Sequence, residues 1–303
     1  MSNIPLSERR LWVGASESAA ILGLSPHKTK FELWHEKAGN IPPVDLSGNS
    51  RVSAGKFFEP SIAAWASDNW HWPLMNVADY RSSPTVARMG ASLDFETLSL
   101  EPVEIKNVDA SVFFKDEEWI AEGDQLIEAP LHFMIQVQHQ LACPKDPASP
   151  PEQGHLVVCV GGNRLYRMTM ARHPGLIAKL EGEVDAFWRS IENNEPPEPN
   201  FEADAGTIGM LYGGSGEDCA DLRGNERALA LCEAYRNAHE IAREADKRKK
   251  AALAELKVLM RDARSAVMDE GFKIKASHLK ETTSVRKAHW RFNINQSTKE
   301  KSR

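Results

Sequence analysis

Cysteine is scarce in this chain: 303 residues contain only Cys143, Cys159, Cys219 and Cys232. None forms a CxxC pair, and the first 142 residues hold none, so neither a disulfide framework nor an iron–sulfur site is predicted. No apolar run approaches the roughly 18 residues that a membrane span needs. The first residues, MSNIPLSERR, lack the apolar stretch of a signal peptide. These absences predict a cytoplasmic protein with no membrane partner. Positive charge is not in excess either. Lys and Arg number 37 against 43 Asp and Glu, a formal charge of -6. That argues against a protein that coats nucleic acid nonspecifically, while leaving room for a local basic surface. There is no internal repeat. His139 has no second His or Cys at ligand spacing, so it reads as structural and zinc is not expected.

What remains is an ordinary globular composition, 42% hydrophobic and 26% charged, long enough for one main domain and an appendage. Ser16 to Leu22 reads as a short helix with Ser16 as its cap and Gly23 as its stop. Thr29 caps a second helix, Lys30 to Ala38, ended by Gly39. Asn40 to Asn49 is a loop. Phe57 to Trp70 has apolar residues at helical spacing, with Phe58, Ile62 and Trp65 facing inward. Pro60 places Glu59 near a helix start or a kink. Val86 to Phe95 and Val103 to Val108 read as strands, and Leu131 to Cys143 as a helix. Leu156–Val160 and Leu165–Met170 form a hairpin over Gly161-Gly162-Asn163. Pro174 to Asn193 is an amphipathic helix.

The organisation expected is a domain over residues 1–200, a linker over 201–222 and a helical extension over 223–303. The extension reads as one long helix or a helical hairpin. Phe272–Lys275 and His289–Ile294 alternate like two terminal strands. Its basic run, Lys247 to Lys250, is read as a solvated helix face rather than a DNA contact. Trp34, Trp65 and Trp188 are read as core. The order of elements predicts an α/β core with a mixed sheet flanked by helices.

The chemistry concentrates at Asp94 and the step Glu104-Ile105-Lys106. Alternate residues of a strand share a face, so Glu104 and Lys106 point together while Ile105 points into the core. If the two runs pair, Asp94 reaches the same spot. Two carboxylates at one point are costly unless a hard divalent cation lies between them. Asp94, Glu104 and the Ile105 main-chain carbonyl would then hold Mg²⁺, with Mn²⁺ able to substitute. Lys106 would orient or deprotonate a water, or stabilise a phosphate. Glu59 could add an oxygen, directly or through water. Taken alone, the triple fits a solvated strand face with an ion pair better than a metal site.

The neighbouring blocks are more specific. Gly14-Ala15-Ser16-Glu17, Gly23-Leu24-Ser25-Pro26, Glu32-Leu33-Trp34, Gly55 through Glu59-Pro60, Ala91-Ser92-x-Asp94, Glu104-Ile105-Lys106 and Gln136-Val137-Gln138-His139-Gln140-Leu141 occur in this order. From about Arg9 to about Pro197 the series resembles the YqaJ family of viral recombinases, relatives of the lambda-type alkaline exonucleases in the PD-(D/E)xK nuclease superfamily. Leu93 stands where that family usually has proline, and Phe133 where it often has an aromatic hydroxyl.

The resemblance implies a restriction-endonuclease-like core and Mg²⁺-dependent degradation of linear double-stranded DNA from 5′ ends, for recombination by annealing in a bacterial host or phage-infected cell. It assigns metal binding to Asp94 and Glu104, the catalytic lysine to Lys106, and supporting roles to Glu59 and Gln136. It puts Arg9, Ser16 and Ser92 at a terminal 5′-phosphate. It also implies a single-strand annealing partner and a homo-oligomer, commonly a trimer. Two rival readings stand beside it: an endonuclease on the same fold, and a non-catalytic DNA-binding module.

Overall fold

A computed structural model describes residues 11–77, 79–213, 219–269 and 273–277. Arg9 and the segment His289–Ile294 lie outside the described residues. Two compact units divide at Tyr212/Gly213.

The first unit opens with a 3₁₀ turn, Ala15–Glu17, running into α1, Ser18–Ile21. Gly14 takes the cap position, and its N–H donates to the Glu17 carboxylate at 2.9 Å. The expectation that Ser16 caps this helix is therefore corrected: it sits inside the 3₁₀ turn, exposed. α2, Lys30–Ala38, is capped by the Thr29 hydroxyl and closed by Gly39 in the left-handed conformation, as expected.

α3 spans Ser50–Asn69, much longer than the periodicity suggested. Asn49 caps it by accepting from the N–H groups of Arg51 and Val52. Pro60 lies within the helix, so Glu59 is mid-helix rather than near its start. The carbonyl that Pro60 cannot serve belongs to exposed Lys56, where water can replace the missing bond. Its inward face is Ile62, Ala63 and Ala66; Phe58 and Trp65 are exposed, contrary to expectation. Small residues let the helix lie close to the sheet, and the aromatics fall on the other side.

Short β1 (Leu74–Asn76) and β2 (Tyr80–Ser82) follow. The expected single strand Val86–Phe95 is two: β3, Gly90–Ser92, and β4, Phe95–Thr97. β3 pairs with β2 in a separate ribbon, while β4 pairs with β1 and with β5, Pro102–Val108. The break leaves Leu93 and Asp94 between two sheets. A short helix α4 (Ala110–Phe113), strands β6 (Ile120–Glu122) and β7 (Gln125–Glu128), and helix α5 (Leu131–Leu141) come next. The hairpin is β8 (Gln153–Val160) and β9 (Arg164–Ala171), and α6 covers Pro174–Glu192.

The main sheet runs β1-β4-β5-β8-β9-β7-β6, mixed, with β5 parallel to β8 and the β8–β9 hairpin antiparallel. This is the α/β architecture expected: a mixed sheet flanked by helices. β5, with neighbours on both edges, carries apolar side chains on both faces of its first half. Ile105 packs with Val157, Ile62 and Ala66 on one face. Glu104 and Lys106 stand opposite Leu156 and Val158 on the other, the face that packs on α5 and α6. Trp34 and Trp188 are in this second core as expected.

Residues expected to be linker include a seventh helix, α7 (Ala205–Leu211), with Asp204 and Thr207 buried. Thr29 donates its hydroxyl proton to Asp204, which fastens this stretch to the first unit. The second unit contains α8, Glu226–Met260, one continuous helix with no buried residue. The Lys247–Lys250 run is exposed, with ion pairs Arg248–Glu244 and Lys250–Asp246 at i, i+4. β11, Lys273–Lys275, pairs with β10, Ser265–Val267, so its observed partner precedes it in the chain.

One close approach constrains the strand leading to Asp94. A Cβ on Gly90 would stand 2.5 Å from the Tyr80 ring and 2.7 Å from the Arg81 carbonyl oxygen. The second contact is backbone held in the β2–β3 ladder and cannot give way cheaply. Gly90→Ala is expected to cost about 1–3 kcal/mol, read as a lower urea midpoint at unchanged slope; an unshifted midpoint would refute the constraint.

Candidate active site

The β4–β5 turn does the first part of the assembly. Phe95 registers with Val103 and Glu96 with Pro102, which places Asp94 beside the start of β5. The Ile105 N–H donates to the Asp94 carboxylate at 2.9 Å. Lys106 is ion-paired with Oε1 of Glu104, two residues back on the same strand face.

Helix α5 supplies the rest. Its sequence Gln136-Val137-Gln138-His139-Gln140 is polar yet largely buried, and each polar side chain has a partner. Gln136 donates to Glu104 Oε1 at 2.7 Å, and Gln140, one turn on, donates to Glu104 Oε2 at 2.5 Å. Gln138 donates to the Ala171 carbonyl and accepts from the His173 N–H. His139 bridges Ser18 and the Gly90 carbonyl. This supports the structural reading of His139: both ring nitrogens are engaged in joining α1, β3 and α5.

Electrostatics follow from the crowding. Burial, then the Glu104 charge, raises the Asp94 carboxyl well above its usual range, against the Ile105 hydrogen bond. Glu59 is raised too, first by burial and then by Glu104. Burial works to discharge Lys106, but Glu104, Asp94 and Glu59 outweigh it and hold the ammonium above its normal value. Lys106 also lies over the Phe133 ring at 5.3 Å, a contact that needs no hydroxyl at that position.

A cleft of about 310 Å³ opens onto Asp94, Glu104 and Gln136, and Ser16 and Ser92 are on its wall. Trp12, Lys56, Tyr80 and Glu17 also line it. The structure thus gathers Glu104, Lys106 and Gln136 by direct contact and ties Asp94 to them through the Ile105 N–H, with Ser16 and Ser92 facing the same cleft as Asp94 and Glu104. Glu59 joins through its electrostatic influence on Asp94 and Lys106. Gln140, Lys56 and Tyr80 were not singled out from sequence. Gln140 could have been, since it follows Gln136 by one helical turn; Tyr80 reaches the cleft through strand pairing that no local pattern signals.

The donor chemistry suits a hard, oxygen-seeking cation: two adjacent carboxylates, one of them fixed by amides. Among the described residues no group of three or more His, Cys, Asp or Glu side chains is arranged to hold a metal.

Comparison with known proteins is consistent with these blocks. Residues 6–146 match the model of the YqaJ-like viral recombinase domain. The chain is 27% identical over 186 residues to "Uncharacterized protein YqaJ" of Bacillus subtilis (strain 168), a match covering 60% of this chain and 54% of that protein. It therefore spans about half the length of that curated relative. Among solved structures, an alkaline exonuclease from Laribacter hongkongensis superposes with a TM-score of 0.48 and 18% identity, covering 67% of this chain and 97% of the other. A phage-related exonuclease from Haemophilus somnus 129PT gives 0.43 and 11%, covering 60% and 94%. Over residues 6–146 the chain therefore resembles the YqaJ-like viral recombinase domain.

Proposed function

We propose that this protein is a metal-dependent deoxyribonuclease that degrades linear double-stranded DNA from a 5′ end. The observation that supports it most is the junction of Asp94, Glu104 and Lys106, with Asp94 and Glu104 on a cleft wall that also carries Ser16 and Ser92. Phosphodiester hydrolysis needs an activated water and relief of charge on the phosphorus. Mg²⁺, or Mn²⁺ in its place, bound by Asp94, Glu104 and the Ile105 carbonyl would supply Lewis acidity, with Glu59 reaching it through water. The residues of the chain do the positioning. Gln136 and Gln140 hold the Glu104 carboxylate in one orientation. Lys106, an ammonium here, offers its charge to a phosphate oxygen once the Glu104 charge is otherwise met. The hydroxyls of Ser16 and Ser92, with Arg9, would bind a terminal 5′-phosphate, so hydrolysis starts from an end. A single-strand annealing partner and a homotrimer belong to the same reading through the family resemblance.

The test is digestion of 5′-phosphorylated linear duplex beside covalently closed circular duplex, with Mg²⁺ and with chelator. Loss of the linear DNA alone, only with metal and faster with a 5′-phosphate than a 5′-hydroxyl, is the expected result. Cutting of the circle would favour the endonuclease reading. No metal-dependent cutting of either would favour a binding module.

A further inference from the structure

Glu104 is held by more groups than its strand neighbours provide, and the least expected is Gln140. Its side chain is 1% exposed, and its Nε2 donates to Glu104 Oε2. Its other end has no partner: Gln140 Oε1 is buried and unbonded. An orphaned buried carbonyl costs about 1–3 kcal/mol, and Leu or Met would fill the same space without that cost. A glutamine kept there under penalty is worth more for its donor than for its packing.

The two carboxylate oxygens are also served differently. Oε1 is shared by Lys106 and Gln136, and Gln136 faces the cleft. Oε2 is held from the protein interior by Gln140, which is not on the cleft wall. A cation or phosphate entering the cleft can displace or recruit Gln136 at Oε1. It cannot reach the Gln140 contact. We propose that Gln140 is a positioning residue that fixes the Glu104 carboxylate plane for divalent-cation binding, while Gln136, on the cleft wall, is the exchangeable partner. This inference rests on the nuclease reading above.

The experiment uses the full chain with Gln140→Met, which keeps length and volume but removes the donor, and Gln140→Asn, which keeps the amide but shortens its reach. Glu104→Ala is the control for loss of the ligand. Mn²⁺ affinity is measured by calorimetry on protein alone, next to thermal unfolding and DNA binding in chelator. The expected result is a roughly tenfold weaker Mn²⁺ affinity in both Gln140 variants. The metal concentration for half-maximal digestion should rise by the same factor, with metal-free DNA binding unchanged. If Gln140→Met does not fold, Gln140→Asn gives the same reading. Folded variants that bind Mn²⁺ within twofold of the wild type, while Glu104→Ala loses it, would overturn the positioning role and leave the nuclease reading standing. A wild-type chain that binds Mn²⁺ no better than Glu104→Ala would overturn both.

Discussion

Replacing Glu104 by glutamine is expected to slow metal-dependent digestion of linear duplex on the order of 10²–10³-fold while leaving the fold intact. The substitution preserves shape, so β5 and α5 pack as before. Its new amide also has an acceptor waiting: if Gln140 turns its side-chain amide over, the orphaned Oε1 accepts from residue 104. What is lost is the negative charge that pairs with Lys106 and would bind a cation with Asp94. The Asp94 carboxyl should move back toward its ordinary range, because the Glu104 charge is the second cause of its elevation after burial. Digestion rates with Mg²⁺ and Mn²⁺, read beside an unfolding curve, check this. Activity within about threefold of wild type in a folded Glu104→Gln would remove Glu104 from the catalytic assignment.

The second large effect is on stability and is centred on His139. Burial lowers this imidazole from 6.5 to about 4, against the Gly90 carbonyl bond that favours the charged form. A group depressed in the folded state contributes its full stability above the unfolded value. That contribution is lost as pH falls through 6.5 toward about 4, because the unfolded chain takes up the proton first. The shift corresponds to roughly 3 kcal/mol, large against a typical domain stability of about 5–15 kcal/mol. Urea midpoints measured from pH 7.5 to 4 should fall steeply for the wild type. In His139→Gln, which cannot titrate, the slope should be shallower although the starting stability is lower. Parallel slopes in the two proteins would show that acid sensitivity comes from elsewhere, for instance from His132, which burial also lowers from 6.5 to about 4.

Local rules were sufficient wherever a contact lies along the chain. The caps at Thr29 and Gly39, the Gly161–Gly162 hairpin and the strand face shared by Glu104 and Lys106 all follow from residues a few positions apart. They failed where distant partners decide. Val86–Phe95 reads as one strand because its apolar alternation is continuous, yet β3 and β4 bond to different neighbours and break at Leu93-Asp94. α3 hides its start because residues 50–57 have no apolar stripe to signal; Asn49 caps a stretch whose side chains face solvent. Gln140 looked like one polar residue among several, since the carboxylate it serves lies 36 positions away.

The sequence by itself determined the chemistry available: two acids and a lysine at strand spacing, in a series of blocks that carries a family resemblance. Side-chain type and the two-residue period of a strand are properties of the chain alone. The tertiary structure decided which groups share that chemistry. It placed Asp94 in a gap between two sheets, set Ser16 and Ser92 on one cleft wall, and aimed two glutamines at one carboxylate. Those placements depend on sheet order and helix docking, where burial of apolar faces fixes the register and the polar groups are carried to wherever that packing puts them.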